Sequence, residues 1–217
     1  MKPDLTLQED VAEELAFDPS VDAAAIGVAA KDGVVTLTGK VPSFSDKFAA
    51  EKAAKRVAGV RGIAPEIEVV LPAFRRRDDA DIAAAALNVL QWNDTIPRDA
   101  ITIKVEQGWL TLEGHVEWQF QKENAERAVR HLIGVRGVFN AITVTPRVKS
   151  IDVENKIRKT FERSADIDAS RVYAETHDGT VTLRGAVRTW SERDDASRAA
   201  YAVPGVSTVE NLTAVGV

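Results

Sequence analysis

Apolar residues recur at every fourth position at the start of three separate stretches of the chain. Leu7, Val11 and Leu15 form the first row. The same spacing is found in Ile82, Ala86 and Leu90 and in Val153, Ile157 and Phe161. Residues at i, i+4 and i+8 lie on one face of an α-helix, so each row predicts a helix with one buried side. Thr6 and Glu9 have the spacing of a capping box, which predicts Thr6 as the N-cap of the first helix.

Each predicted helix is followed by strand patterns. Ile101, Ile103 and Val105 alternate with polar residues, which predicts a strand with one buried face. A second strand follows a tight turn, and it lies in a nine-residue segment that occurs three times: GVVTLTGKV from Gly33, GWLTLEGHV from Gly108 and GTVTLRGAV from Gly179. We expect the first glycine of each copy to supply the positive φ of a hairpin turn.

A second marker repeats with the same period as the first. It reads AGVRGI, IGVRGV and PGVSTV, with its first glycines at Gly59, Gly134 and Gly205. In both markers the second copy follows the first by 75 residues, and the third follows the second by 71. Two landmarks that share one period indicate that a single domain occurs three times.

The rest of each copy predicts a second helix and a third strand. Alanine-rich rows predict the inner side of the helix: Ala50, Ala53 and Val57; Ala125, Ala128 and Leu132; Ala196, Ala199 and Val203. The glycine of the second marker is expected to end this helix. The later glycines of the nine-residue segments are expected to allow a bulge or the close approach of a helix: Gly39, Gly114 and Gly185.

The predicted order in each copy is α-β-β-α-β. A hairpin makes the first two strands antiparallel, and a right-handed crossover through the second helix makes the third strand parallel to the second. The fold class is therefore α+β, with three tandem units that each have a small three-stranded mixed sheet and two helices on one face. We predict units over residues 1–71, 78–146 and 150–217.

These residues resemble those of the BON domain family. The family pattern combines G-x-V-x-L-x-G-x-V with a later G-V-x-x-V-x-N, which is met from Gly134 to Asn140 and from Gly205 to Asn211. The first copy departs from the pattern with Pro65 in place of the asparagine. The resemblance implies a non-catalytic, stress-associated protein of the OsmY type. It also implies phospholipid binding as a function, with transport or ion binding in some members.

Composition narrows the classes of partner. The 217 residues are 45 % hydrophobic and 28 % charged, with a net charge of −5 and no cysteine. No copy has the basic excess of a nucleic-acid binder, so no nucleic acid is expected. The absence of an apolar run of about 18 residues predicts no transmembrane segment. The first residues do not resemble a signal peptide, so we expect a cytoplasmic protein, or a periplasmic one if a leader has been removed.

The sequence contains no pattern that predicts catalysis. His115, His131 and His177 occur at unrelated places of the repeat, and none has a second ligand at helical spacing. We therefore expect no metal site, no cofactor and no enzyme activity. The glycine-rich segments also lack the endings of phosphate-binding loops.

One candidate binding element is the cluster Arg75, Arg76 and Arg77 in the linker over residues 71–77. Three basic residues near an anionic leaflet would contribute about 3 kcal/mol, which is about a hundredfold in affinity. This interpretation predicts a phospholipid contact. The alternative is a solvated linker whose charge is neutralised by neighbouring aspartates, Asp78, Asp79 and Asp81.

The second candidate element is a group of aromatic residues. Trp92 and Trp109 both lie in the second copy, and Trp109 takes the place of Val34 and Thr180, on the sheet face away from the helices. Phe139 and, in the third copy, Tyr173 share this outward side. Apolar groups there predict packing against a neighbouring repeat or subunit, as in a homo-oligomer; the alternative is an external protein or lipid.

Three functional hypotheses result. The first is a non-catalytic scaffold or binding module that acts through exposed sheet faces. The second is peripheral binding to anionic phospholipid. The third is binding of a small cation, potassium or calcium, through loop carbonyls and carboxylates.

Overall fold

The structure is a computed structural model that describes residues 2–145, 153–163 and 171–216. The sequence also predicts a linker at 146–150 and a turn at 165–166, and both segments lie outside these residues. The chain divides into two compact units. One comprises Met1–Gly39, Phe48–Ile67 and Val148–Val217, and the other comprises Lys40–Lys47 and Glu68–Arg147. Among the described residues, no helix is both long and apolar enough to cross a membrane.

The first repeat has the predicted order of elements. These are α1 (Asp4–Phe17), β1 (Ile26–Lys31), β2 (Val34–Val41), α2 (Phe44–Arg56) and β3 (Gly62–Val69). The strands form a sheet in the order β1-β2-β3. The predicted inner row of α1 is buried: Leu7, Val11 and Leu15.

The prediction that Thr6 caps α1 is wrong. The N-cap is Pro3, no side chain caps the helix, and the carbonyl of Pro3 accepts a hydrogen bond from the amide of Leu7 at 2.9 Å. The helix therefore begins before Thr6. Proline at the N-cap orders the entry of the chain through its fixed φ of −59°.

The second repeat contains α3 (Asp79–Gln91), β4 (Ile101–Glu106), β5 (Trp109–Val116), α4 (Gln119–Arg130) and β6 (Gly137–Val144). Strands β4 and β5 are antiparallel, and β5 and β6 are parallel. One buried cluster contains residues of both helices and of the sheet: Ile82, Ala86, Leu90, Leu110, Leu112, Val116, Ala125, Val129 and Ile142. Both helices therefore cover the same face of the sheet, which confirms the predicted α+β class.

The third repeat contains α5 (Val153–Arg163), β7 (Val172–His177), β8 (Thr180–Val187), α6 (Trp190–Tyr201) and β9 (Thr208–Asn211). A short strand β10 (Ala214–Val215) continues the pairing with β8 after a two-residue break. The pairing is antiparallel for β7–β8 and parallel for β8–β9. The third predicted strand is therefore present in two parts.

Each hairpin turns through two residues that both have positive φ. In the second repeat φ is 53° at Gln107 and 80° at Gly108. The corresponding residues of the other hairpins, Asp32 with Gly33 and Asp178 with Gly179, have similar values. Positive φ at both central residues is the geometry of a type I′ turn, whose twist matches that of the flanking strands. The sequence predicted the role of the glycine but not that of the residue before it.

Gly39, Gly114 and Gly185 permit a close approach, but not the predicted one of a helix. A Cβ at these positions would collide with the carbonyl oxygen of Ala25, Ala100 and Arg171 respectively. Each of these carbonyls belongs to the residue just before the first strand of its repeat. The backbone of the segment that enters the hairpin lies against the glycine, so the space for a side chain is already filled.

The glycines of the second marker do not end the second helices. Helix α2 ends at Arg56 and α4 at Arg130, so Gly59 and Gly134 lie further on, in the turn to the last strand. Gly205 has the same place after α6, and all three have φ between 95° and 97°. The predicted inner residues of these helices are buried or partly buried, and Ala54, Val129 and Ala200 are buried in addition.

The asparagine of the family pattern joins the last strand to the second helix. Asn140 donates from Nδ2 to the carbonyl of Lys122 at 2.9 Å. Asn211 donates to the carbonyl of Arg193 and to the hydroxyl of Ser197, both at 2.8 Å. These bonds satisfy helix carbonyls with side-chain donors, so the asparagine has a structural role.

Candidate binding surfaces of the second repeat

The arginine linker is held in a defined shape by its own backbone. Residues Ala73–Arg75 form one turn of 3₁₀ helix. Arg76 donates from Nε to the carbonyl of Leu71 at 3.2 Å, and Arg77 donates from one terminal nitrogen to the carbonyl of Phe74 at 3.1 Å. Beside them the side chain of Phe74 is 73 % exposed. The linker therefore presents an apolar ring next to three cationic groups.

The neighbouring aspartates bind backbone amides. Asp78 is the N-cap of α3 and accepts a hydrogen bond from the amide of Asp81 at 2.8 Å. The two oxygens of Asp79 accept hydrogen bonds from the amides of Gln107 and Gly108 at 2.8 and 2.9 Å. In the part of the chain that the structure describes, none of the three arginines of the linker has a carboxylate oxygen within 4 Å. The aspartates are thus engaged in helix capping and in holding the hairpin turn.

The linker and two turns of the second repeat enclose a cleft of about 350 Å³, which we term the basic cleft. Its lining residues are Leu71, Arg76, Arg77, Asp79, Gln107, Gly108, Gly134 and Arg136. Two glycines make its compact shape possible. A Cβ at Gly134 would lie 2.9 Å from the Cβ of Arg77, and one at Gly108 would lie 3.1 Å from the Cγ of Arg136.

A second cavity, of about 320 Å³, shares Leu71 and Gly134 with the basic cleft and includes Arg75 in its lining. In this cavity the hydroxyl of Ser45 lies 2.9 Å from Nδ1 of His131. Arg130 also lines it and donates to the carboxylate of Glu126 at 2.7 Å. Ser45, His131 and Arg130 thus each have at least one protein partner.

The outer face of the second sheet carries Trp109 and Phe139, which we term the aromatic face. Trp109 pairs with Gly137 across β5 and β6, and a Cβ at Gly137 would collide with the indole ring. The ring therefore occupies the space beside Gly137 where a side chain would lie. Trp109 is 55 % exposed and Phe139 is 66 % exposed. Contact of this face with another copy or with a partner stays a prediction.

The other two predicted aromatic residues lie apart from this pair. Trp92 is 84 % exposed and lines a groove of about 570 Å³ with Leu87, Ile96 and Pro97. Tyr173 is exposed on β7 of the third repeat. The predicted binding residues of the second repeat thus belong to three places: the linker, the aromatic face and the end of α3.

Sequence reasoning missed Arg136 and Gly137. Arg136 lies two residues after Gly134, in the marker that was interpreted as a helix end, and Arg61 and Ser207 have its place in the other repeats. Gly137 faces the variable position Trp109 across the sheet. Alignment of the three copies shows that only the second combines Arg136 with a basic linker and Trp109 with Gly137. It does not show that the two members of either pair lie close together.

The family model of the BON domain matches residues 3–70, 78–146 and 152–216. Together with three α-β-β-α-β repeats, this match shows that the chain belongs to the BON domain family, with three tandem copies. The chain is 34 % identical over 143 residues to osmotically-inducible protein Y of Escherichia coli K12, with 62 % of this chain and 71 % of that protein covered.

Among solved structures the chain is similar to CdsD, a structural protein of the type III secretion system of Chlamydia trachomatis. The match has 14 % identity and a TM-score of 0.26, and it covers 97 % of this chain and 92 % of that chain. A second structure, the C-terminal domain of the same protein, matches with 14 % identity and a TM-score of 0.27, and both chains are covered in full. TM-scores this low do not establish a common fold.

Proposed function

We propose that this chain is a non-catalytic binding protein related to osmotic stress, and that it associates through the aromatic face of its second repeat. The stress relation is supported by the similarity to the osmotically-inducible protein. The binding role rests on one observation: the ring of Trp109 fills the space beside Gly137 and stays exposed on the same sheet face as Phe139. Tryptophan held in one orientation loses little conformational entropy on binding, which favours it as an interface anchor.

The nature of the face favours association with a second copy of the chain. The aromatic pair is bordered by Glu106, which pairs with Trp109 across the hairpin, and by Lys104. Lys104 and Glu106 form an ion pair of 3.0 Å on the same strand. A face that carries both signs of charge around an apolar centre can be complementary to itself in a two-fold dimer. The expected contact is small, and the association is therefore expected to be weak.

Replacement of Trp109 and Phe139 by serine should abolish this association and leave the fold intact, because both side chains lie outside the core. Sedimentation velocity of the full chain at rising concentration is the measurement. We expect the sedimentation coefficient of the wild type to rise with concentration and that of the double variant to stay constant. Trp92→Ser, at an exposed tryptophan elsewhere, should behave as the wild type. A wild type that is monomeric throughout would contradict self-association.

A second candidate function is peripheral binding to anionic phospholipid. It is favoured by the exposed ring of Phe74 next to Arg75, Arg76 and Arg77, since aromatic and basic residues together suit the membrane interface. The fixed shape of the linker, with Arg76 bound to the carbonyl of Leu71, keeps these groups adjacent.

Flotation with vesicles of phosphatidylglycerol and phosphatidylcholine at low salt tests this function. The wild type should float, and Phe74→Ser should reduce the bound fraction severalfold because it removes the apolar contact while the charges remain. Phe17→Ser, at a ring that is 84 % exposed in the first repeat, is the matched control and should float as the wild type. Equal flotation of Phe74→Ser and Phe17→Ser would show that the ring of Phe74 does not contribute to lipid binding.

A further inference from the structure

The basic cleft gathers three guanidinium groups around a single carboxylate. Arg76 and Arg77 come from the linker, Arg136 comes from the turn before β6, and Asp79 comes from the first turn of α3. Both oxygens of Asp79 accept hydrogen bonds from backbone amides of the hairpin turn. The charged groups that line the cleft therefore sum to two positive charges, and the one carboxylate is already engaged.

Most of the hydrogen-bond donors of these arginines are available to a ligand. A guanidinium group has five N–H donors. Arg76 uses Nε for the carbonyl of Leu71, and Arg77 uses one terminal nitrogen for the carbonyls of Phe74 and Arg76. Within the described residues, the guanidinium group of Arg136 donates to no protein acceptor, whereas its backbone amide donates to the carbonyl of Gly108 at 2.9 Å. Its stem lies on Gly108, so the position of the side chain is restricted without a polar partner.

We propose that the basic cleft binds a phosphate monoester. A monoester carries between about −1.5 and −2 charges at pH 7 and offers three strong acceptor oxygens, which matches a cleft of two net positive charges with forked donors. A phosphate diester carries a single negative charge and therefore matches the two positive charges of the cleft less well. The volume of about 350 Å³ suits a small phosphorylated compound or the headgroup of a lipid that ends in a monoester. The small compound and the lipid headgroup would present the same phosphate monoester to the cleft.

The combination of Arg76, Arg77 and Arg136 occurs only in the second repeat. At the place of Arg136, the first repeat has Arg61 and the third has Ser207. At the places of Arg76 and Arg77, the first repeat has Met1 and Lys2, and the third has Arg147 and Val148. Only the second copy has arginine at all three positions. The site goes beyond the association through Trp109 and does not depend on it, because none of these arginines belongs to the aromatic face.

Calorimetric titration of the full chain with glycerol phosphate at pH 7.5 tests the site. We expect binding, and we expect Arg136→Gln to weaken it tenfold or more, since a charge-assisted donor pair is lost. Arg76→Gln should have a similar effect. Arg127→Gln, an exposed arginine of α4 with the same change of charge, is the matched control and should stay within twofold of the wild type.

The pH dependence separates a monoester from a diester. The second pKa of a phosphate monoester is about 6, so at pH 5 about a tenth of the ligand is in the dianionic form, and affinity should fall about tenfold from pH 7.5. The charged groups that face the ligand are Arg76, Arg77, Arg136 and Asp79, and His131 lies in the neighbouring cavity. Dimethyl phosphate, a diester, reports any titration of the protein itself and should bind more weakly at pH 7.5.

Each remaining outcome decides the proposal. In one outcome glycerol phosphate gives no heat, the wild type floats on vesicles that contain phosphatidate, and Arg136→Gln does not float. This result would support the site and show that its monoester ligand is a lipid. Equal affinity for glycerol phosphate and dimethyl phosphate would overturn the proposal. Equal losses of affinity for glycerol phosphate in Arg136→Gln and Arg127→Gln would overturn it as well. Absence of both heat and flotation would overturn it too. Sedimentation of Arg136→Gln should match the wild type, which distinguishes this site from the aromatic face.

Discussion

Replacement of Gly114 by alanine should destabilise the second repeat by about 3 to 5 kcal/mol. Gly114 has φ of 139°, which L-residues rarely adopt. An added Cβ would also collide with the carbonyl oxygen of Ala100. The backbone of the segment that enters the hairpin must then shift, and the amide of His115, which donates to that carbonyl at 3.3 Å, loses its geometry.

Gly62→Ala is the matched control for this substitution. An added Cβ at Gly62 would meet only the methyl groups of Val34 at 3.6 Å or more, which is ordinary contact. We expect a change below about 1 kcal/mol. Urea unfolding followed by circular dichroism compares the two variants. A Gly114→Ala protein with the midpoint of the wild type would show that the nine-residue segment does not need its second glycine.

Replacement of Leu112 by alanine should cost about 3 kcal/mol. The side chain is fully buried at the centre of the core between β5 and the two helices, where it belongs to the same cluster as Ile82 and Val129. Its removal takes away apolar burial and leaves a cavity that packed neighbours fill only in part.

Leu87→Ala serves as the control for the core substitution. Leu87 belongs to the same repeat, but it is 47 % exposed. Its truncation should cost less than about 1 kcal/mol. Tryptophan fluorescence during urea unfolding is a suitable probe, because three of the four tryptophans, Trp92, Trp109 and Trp118, lie in this repeat. Equal costs at Leu112 and Leu87 would contradict the assigned core.

The fold could be predicted from the sequence because its determinants are local and occur three times. Alternation placed Leu110 and Leu112 on the buried face, and the helical row placed Ile82, Ala86 and Leu90 against it. The errors arose where a contact links residues far apart in sequence. No local pattern shows that the carbonyl of Ala100 fills the space beside Gly114.

The candidate sites were predicted less completely. Arg75 to Arg77 could be selected from the sequence because they are three consecutive basic residues. Trp109 could be selected because it replaces smaller residues of the other two copies. Arg136 could not, because the loop that brings it beside the linker depends on the close packing at Gly134. Asp79 was expected only to neutralise the linker. Its binding to the amides of a turn 28 and 29 residues away could not be predicted, because no local pattern links the two segments.

The central claim is that the repeated positions hold the fold while the variable position Trp109 carries the contact with a partner. Fluorine NMR of the full chain labelled with 5-fluorotryptophan tests this claim most directly, with one resonance for each of Trp92, Trp109, Trp118 and Trp190. Single replacements by phenylalanine assign the resonances. We predict that only the resonance of Trp109 shifts or broadens as the protein concentration rises. A Trp109 resonance that stays unchanged while sedimentation shows association would contradict the claim.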